Sequence, residues 1–398
     1  MPRQIYVNRE GTAIVSDTPE SDVTAVRRIK VLHLISSRGV YGAERVVLTL
    51  CKYADSERFE QIIGIFRKKK VSGDQLGREA ERLGIPVEEI LYSTAFDPRQ
   101  ILGLIGIVRR HRPDLIHTHE YKANILGFCL AKIFGLPIVT TVHALHKLRG
   151  RAKRELQFSV GLLKYFSAVM PVSGDVRDEL QALKVPAEKM VTIKNVPPLT
   201  EMRPASGVRS FREEVGVPSD RKLIGFLGRL IPAKGCDQLI HAIANIDKKD
   251  RNFSLAVAGD GPERESLEAL AEKLGVRDMI HFCGFRSDTE HIYASLDLLV
   301  LPSREEGTPL VMLEGMSRGV SVVATKVGGI PDVLKDRVNG LLVPSDDPIA
   351  LAGAIAESLN KPDETKKRAI EAKRTMAREY DVKTWAKKFE EIYAGIVQ

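Results

Sequence analysis

The feature that most constrains this chain is the regular recurrence of short apolar runs, each followed by a segment long enough for a helix. The run Ile29-Lys30-Val31-Leu32-His33-Leu34-Ile35 opens the series, and strand-like stretches follow at 61–66, 115–119, 138–143, 168–172 and 190–193. The intervening segments space their apolar residues at helical intervals. Strands and helices in alternation predict a mostly parallel sheet covered on both faces, so the fold class is α/β and doubly wound.

The pattern lapses across 196–212, where Pro197, Pro198, Pro204 and Gly207 gather. It restarts at 223–227 and continues through 254–258, 279–282, 298–301 and 320–324, which predicts a second domain of the same kind. With 398 residues and 43% apolar composition, two domains can each bury a core. The expected division is a polar extension (1–28), a first domain (29–198), a linker (199–215) and a second domain (216–381). Two helical patterns, 349–359 and 364–377, precede a last one within 382–398 that carries the only tryptophan, Trp385, and is expected to cross back onto the first domain.

Several classes are disfavoured. Residues 1–28 mix Arg9, Glu10, Asp17, Glu20 and Asp22, unlike a signal peptide, and the apolar stretch 101–108 ends at Arg109, far short of the roughly 18 residues of a membrane span. Cys51, Cys129, Cys236 and Cys283 stand far apart with no C-x-x-C pair, which argues against a zinc site or a disulfide framework. The expected location is the cytoplasm, either soluble or peripheral on the inner face of a membrane.

Charge is unevenly placed. Before Pro204, 32 Lys and Arg stand against 22 Asp and Glu, and after it 28 against 30, leaving +10 in the first part and −2 in the second. The first part therefore faces an anionic partner. Lys147, Arg149, Arg151, Lys153 and Arg154 adjoin Leu156, Phe158, Tyr165 and Phe166, as in a segment lying on anionic lipid, and Lys68-Lys69-Lys70 adds a second patch. The same pattern also fits a solvated face over a buried side. No helix-turn-helix, zinc finger or RNP-like strand is present, so nucleic acid ranks behind a membrane.

The residues that carry chemistry follow strands of the second domain, where ligands of doubly wound sheets sit. Gly228-Arg229-Leu230-Ile231-Pro232-Ala233-Lys234-Gly235 places two cations five residues apart on a loop entering a helix, a candidate diphosphate clamp. Glu306 lies on the loop after 298–301. Glu314 falls on the buried side of the following helix, where a carboxylate needs hydrogen bonds that ribose hydroxyls can supply. Gly259-Asp260-Gly261-Pro262 lacks the third glycine of the dinucleotide fingerprint because Arg264 stands there, so it reads as a tight turn near the nucleotide. Gly328-Gly329 allows close backbone approach. No D-x-D motif occurs, so no obligatory metal or other cofactor is expected.

The string 302–325, together with 228–235, 259–262, Gly284-Phe285 and 328–331, resembles the retaining glycosyltransferases of family 4, which are glycosyl transferases of group 1 with the GT-B architecture. The match runs in order through nearly the whole second domain. In the first domain Gly39-Val40-Tyr41-Gly42-Ala43-Glu44 is similar to that family's Gly-Gly-x-Glu loop, with Tyr41 at a usual glycine, and places Gly42 near a diphosphate. His143 matches the histidine beside the donor sugar.

The resemblance implies transfer from a nucleoside diphosphate sugar to a hydroxyl acceptor with retention. Arg229 and Lys234 would neutralise the diphosphate, Glu306 would orient sugar hydroxyls, Glu314 would hold ribose, and Gly228, Gly259, Asp260, Gly261 and Phe285 would line the donor site. It also favours a lipid-linked acceptor at a membrane. Where the family has Glu-Gly-Phe-Gly, this chain has Glu306-Gly307-Thr308-Pro309. Pro309 has no N–H, so sugar contacts there fall to the Thr308 hydroxyl or the Leu310 amide. Alternatives are a nucleotide-sugar epimerase of the same architecture and a non-catalytic donor-binding membrane scaffold.

Overall fold

The computed structural model describes residues 27–36, 42–68, 75–93, 97–145, 150–197, 209–247, 249 and 251–397, together with the backbone of two short strands, β1 (Ile5–Val7) and β2 (Ala13–Val15). These two strands pair antiparallel inside the stretch read as a polar extension; the rest of 1–26 lies outside the described residues.

Two six-stranded sheets follow. The first contains β3 (Ile29–Ser36), β4 (Phe59–Lys68), β5 (Val87–Tyr92), β6 (Leu115–Thr118), β7 (Ile138–Val142) and β8 (Ala168–Pro171). The second contains β9 (Lys222–Leu227), β10 (Phe253–Ala258), β11 (Ile280–Gly284), β12 (Leu298–Leu301), β13 (Ser321–Thr325) and β14 (Leu341–Val343). Every pairing within both is parallel, and the orders β5-β4-β3-β6-β7-β8 and β11-β10-β9-β12-β13-β14 are the same order repeated. In each sheet the winding reverses beside its first strand, between β3 and β6 and between β9 and β12, which opens a crevice at the carboxyl ends.

Helices cover both faces. In the first half these are α1 (Gly42–Tyr53), α2 (Gln75–Arg82), α3 (Arg99–His111), α4 (Tyr121–Phe134), α5 (Gly150–Leu162) and α6 (Gly174–Ala182). A short α7 (Phe211–Glu214) leads into α8 (Cys236–Asn245), α9 (Arg264–Lys273), α10 (Thr289–Tyr293), α11 (Leu310–Ser317), α12 (Ile330–Val333), α13 (Pro348–Asn360), α14 (Pro362–Glu379) and α15 (Val382–Val397). Leu239 and Ile240 of α8 meet Leu351 and Ile355 of α13 over one face of the second sheet, while Met312 of α11 and Met376 of α14 pack over the other.

The last helix belongs to the first sheet. Val382, Trp385, Ala386, Phe389, Glu390 and Tyr393 recur at helical spacing and are buried, because this stripe lies in one core with Val46 and Leu50 of α1 and Phe59 of β4. Asp381 caps α15 by accepting from the Thr384 amide at 2.7 Å, and Glu390 accepts from the Asp55 amide at 2.8 Å. Each buried aromatic contributes about 1.5 to 3 kcal/mol.

The structure departs from the sequence reading in places. Residues 190–193 form no strand: one bridge joins Met190 to Val169. Pro171 of β8 has no N–H to extend a ladder there. The edge strands β5 and β14 were not foreseen. Within the expected linker, α7 is closed by a capping box between Ser210 and Glu213 and buries Phe211; 198–208 lie outside the described residues.

Candidate active site

A cavity of ≈ 1790 Å³ lies between the two sheets, walled by the segments that leave their carboxyl ends. His143 from the end of β7 and the start of α1 at Gly42 stand on one side. Gly228, Arg229 and Lys234 after β9, Gly259 after β10, Phe285 after β11 and Glu306 to Leu310 after β12 stand on the other. Gly39, Val40 and Tyr41 lie outside the described residues.

The second-domain wall is built from two loops locked together. The chain leaves β9 and makes a turn at Pro232–Lys234 before α8, which brings Lys234 Nζ within 2.7 Å of Glu306 Oε1. The Ser303 hydroxyl donates to the same oxygen at 2.8 Å. Arg304, which the sequence reading passed over, fixes the geometry. Its guanidinium donates twice to Asp237 at 2.8 and 2.7 Å and once to Asp346 at 2.7 Å, while its amide donates to the Ala233 carbonyl at 2.8 Å. A bidentate Arg–carboxylate pair is directional, so the loop with the cations and the loop with Glu306 move as one piece.

Glycine makes two close approaches possible. A Cβ on Gly259 would overlap the Gly228 carbonyl oxygen, and one on Gly307 would overlap the His143 carbonyl oxygen across the domain boundary. Thr308 continues that crossing. Its hydroxyl donates to the Val172 carbonyl at 2.7 Å, and its own carbonyl accepts from Asn195 at 3.1 Å. The Thr308 hydroxyl thus gives its proton to the joint between the two domains and keeps only its acceptor capacity for a sugar. The Leu310 amide stays in the first turn of α11, where no carbonyl one turn back is available to it.

Three expected donor residues, Asp260, Gly261 and Glu314, are not on the cavity wall. Asp260 accepts from the Gly261 and Leu230 amides, at 2.8 and 2.9 Å, so this turn braces the Arg229 loop from behind. Glu314 is fully buried on α11, where its carboxylate accepts from the Tyr293 hydroxyl at 3.0 Å.

The first-domain wall holds a feature the sequence reading missed. His33, His117 and His119 are buried beside His143, with ring nitrogens of the first three within 4.8 Å of one another. His33 contacts His119 at 3.0 Å and Gln61 at 2.7 Å, and His117 contacts the Tyr393 hydroxyl of α15 at 2.7 Å and Thr141 at 2.9 Å. Both nitrogens of His33 and of His117 are thus taken up in a hydrogen-bond chain, which is a different arrangement from an open set of metal ligands. Burial pushes His33 and His143 down to about 4; burial and then mutual repulsion hold His117 and His119 well below their ordinary value. All four are neutral near pH 7. His143 stacks on His119, and its Nε2 has no hydrogen-bond partner in the structure.

On the basic segment, Lys147 and Arg149 and the side chain of Arg151 lie outside the described residues, as do Lys69 and Lys70. Lys153 and Arg154 are exposed on α5. Among the described residues, no helix is long and apolar enough to cross a membrane.

Comparison with known proteins agrees with this layout. A model for Glycosyltransferase Family 4 matches residues 40–197, and one for Glycosyl transferases group 1 matches 208–376. The uncharacterized glycosyltransferase MJ1607 of Methanocaldococcus jannaschii is 32% identical over 271 residues, which are 65% of this chain and 68% of that protein. D-inositol 3-phosphate glycosyltransferase of Saccharomonospora viridis is 32% identical over 272 residues, 63% of each chain. Among solved structures, Anabaena Alr3699/HepE in complex with UDP and glucose is 25% identical with a TM-score of 0.79, covering 92% of this chain and 100% of that one. With its halves matched in order by two glycosyltransferase models and its sheets arranged as in GT-B enzymes, the chain belongs to the glycosyltransferases.

Proposed function

We propose that the protein transfers a glycosyl group from a nucleoside diphosphate sugar to a hydroxyl acceptor with retention of configuration, as a hexosyltransferase in polysaccharide, lipopolysaccharide or glycolipid assembly. The observation that carries this reading is the convergence of Arg229, Lys234 and Glu306 on one wall of a cleft whose other wall holds His143. The two cations neutralise the diphosphate as the bond from the sugar carbon to the phosphate oxygen breaks, so they take the role that a metal plays elsewhere. Glu306 orients sugar hydroxyls, and Glu314, one layer below the cavity wall behind Arg45, receives the ribose as the donor seats and the contact above it adjusts. His143, neutral, meets the sugar near the reacting carbon. The acceptor oxygen attacks from the leaving-group side and its proton passes to the departing phosphate.

UDP-, GDP- and ADP-sugars test this directly. One of them at 100 times its dissociation constant should stabilise the protein by ~2.7 kcal/mol. Transfer should persist in EDTA and give a product with the donor's anomeric configuration by NMR. Consumption of the donor to its epimer without an acceptor would identify an epimerase instead, and binding without turnover a scaffold.

A second reading concerns the membrane. The outward face of α5 and the turn after it exposes Lys153, Arg154, Phe158, Lys164 and Tyr165, with no acid among the described residues of that face. Cations interleaved with exposed aromatics suit an anionic lipid surface and a lipid-linked acceptor. Each cation should add about 1 kcal/mol, weakened by salt. Equal sedimentation of wild type and the K153E/R154E/K164E variant with phosphatidylglycerol vesicles at low salt would remove this reading.

A further inference from the structure

Glu314 is the acid that the proposed function gives to the ribose, yet a residue of the opposite domain reaches it first. Its Oε1 lies 2.7 Å from Nη1 of Arg45, and its Oε2 accepts from Tyr293. Arg45 sits in the first turn of α1, three residues after Gly42; its side chain is 23% exposed and lines the cleft, whereas that of Glu314 is 0% exposed. The contact is an ion pair by distance, but the guanidinium N–H groups are not aimed along it, and Oε1 has no hydrogen-bond partner. A buried carboxylate oxygen with unfilled acceptor capacity is costly. Here it stands directly beneath a cleft residue. Tyr293 is held in turn by Arg318, whose guanidinium lies over the ring at 5.0 Å and donates to Glu290 at 2.6 Å. The carboxylate is therefore fixed from below by its own domain and from above by the other.

We infer that Arg45 is a positioning residue for nucleoside recognition. It holds Oε1 of Glu314 from across the cleft, so the ribose hydroxyls meet a fixed, charge-balanced acceptor only when the two domains are together. The inference rests on the reading of Glu314 as the ribose acceptor. Arg45 itself need not touch the nucleotide. Its loss should erase discrimination between ribose and deoxyribose while leaving the diphosphate clamp of Arg229 and Lys234 intact.

Calorimetric titration of the full chain with UDP, GDP and ADP, each beside its 2′-deoxy form, tests this. A hydrogen bond to a charged group is worth roughly a tenfold or greater preference for the ribose form of the nucleotide that binds. In Arg45→Met that preference should shrink to about twofold or less, chiefly through weaker binding of the ribose form, and Arg45→Lys should recover part of it. Arg45→Met leaves a buried carboxylate without its counter-charge, so R45Q gives a second reading and R45M/E314Q, with both charges gone, should regain stability. If E314Q loses the preference while R45M and R45Q keep it at the wild-type value, the role given to Arg45 is overturned. If E314Q itself keeps the preference, Glu314 is not the ribose acceptor and that part of the proposed function fails. If no nucleotide binds the wild type, the donor reading fails as a whole.

Discussion

The two sheets share one strand order and present the same ends to one cleft, yet the chemistry they bring differs. The second sheet contributes Arg229, Lys234 and Glu306, charges kept near the cavity, with Lys234 paired to Glu306. The first contributes, beside cleft-lining charges such as Arg45 and Lys122, four histidines kept neutral by burial, of which His119 and His143 reach the cavity. Topology decides where a site can form, and the few residues after each strand decide what it can hold. A charged wall tolerates water. Buried neutral histidines must be covered, and here the cover over His117 is α15, whose Tyr393 touches it.

The largest effect should come from removing that cover. Phe389→Ala should cost about 3 to 5 kcal/mol in urea unfolding, because a fully enclosed ring leaves a cavity. A loss below about 1 kcal/mol would break the claim that the neutral wall depends on α15.

The charged wall should answer in turnover. Arg229→Ala and Lys234→Ala are each expected to cost about 2 to 4 kcal/mol of transition-state stabilisation, with far-UV circular dichroism unchanged, because leaving-group charge peaks in the transition state. Wild-type turnover in either variant would undo the clamp.

The buried histidines should answer to pH. Histidines with folded values near 4 titrate near 6.5 once unfolded, so the unfolded chain takes up protons that the native state refuses. Stability should be full above about pH 6.5 and fall as pH drops from there toward 4, by about 1 kcal/mol per pH unit for each such histidine. Urea midpoints at pH 7.5 and 5.0 measure it, and His119→Asn should flatten the slope. A midpoint indifferent to pH would mean that the histidines are not held neutral.

How much of this was legible depends on distance along the chain. Central strands show as apolar runs because both their faces are covered. The edge strands β5 and β14 did not show, since Glu88 and Glu89 interrupt one and the other is three residues long. Arg229, Lys234 and Glu306 were readable because each follows a strand within a few residues. His117 and His119 could have been paired from their period of two, which puts both on one side of β6 and the residue that follows it. His33 joins them only through register, opposite His117 in the neighbouring strand. Arg304 and Arg45 gave no local signal, because the partners that define them, Asp237 and Glu314, lie 67 and 269 positions away in the sequence. The Ser210 to Glu213 capping box was visible and marks α7 inside a stretch otherwise read as linker.

The return of α15 to the first sheet also bears on how the protein is made. His117 and Tyr393 are 276 positions apart, so when the first sheet leaves the ribosome the helix that seals its histidines has not yet been synthesised. At roughly 5 to 20 residues per second, that interval lasts roughly 15 to 60 seconds. Over this time the nascent first domain leaves uncovered the apolar strip of Val46, Leu50 and Phe59 on which α15 will dock. A premature stop in the final helix would leave the first sheet without the Tyr393 contact to His117.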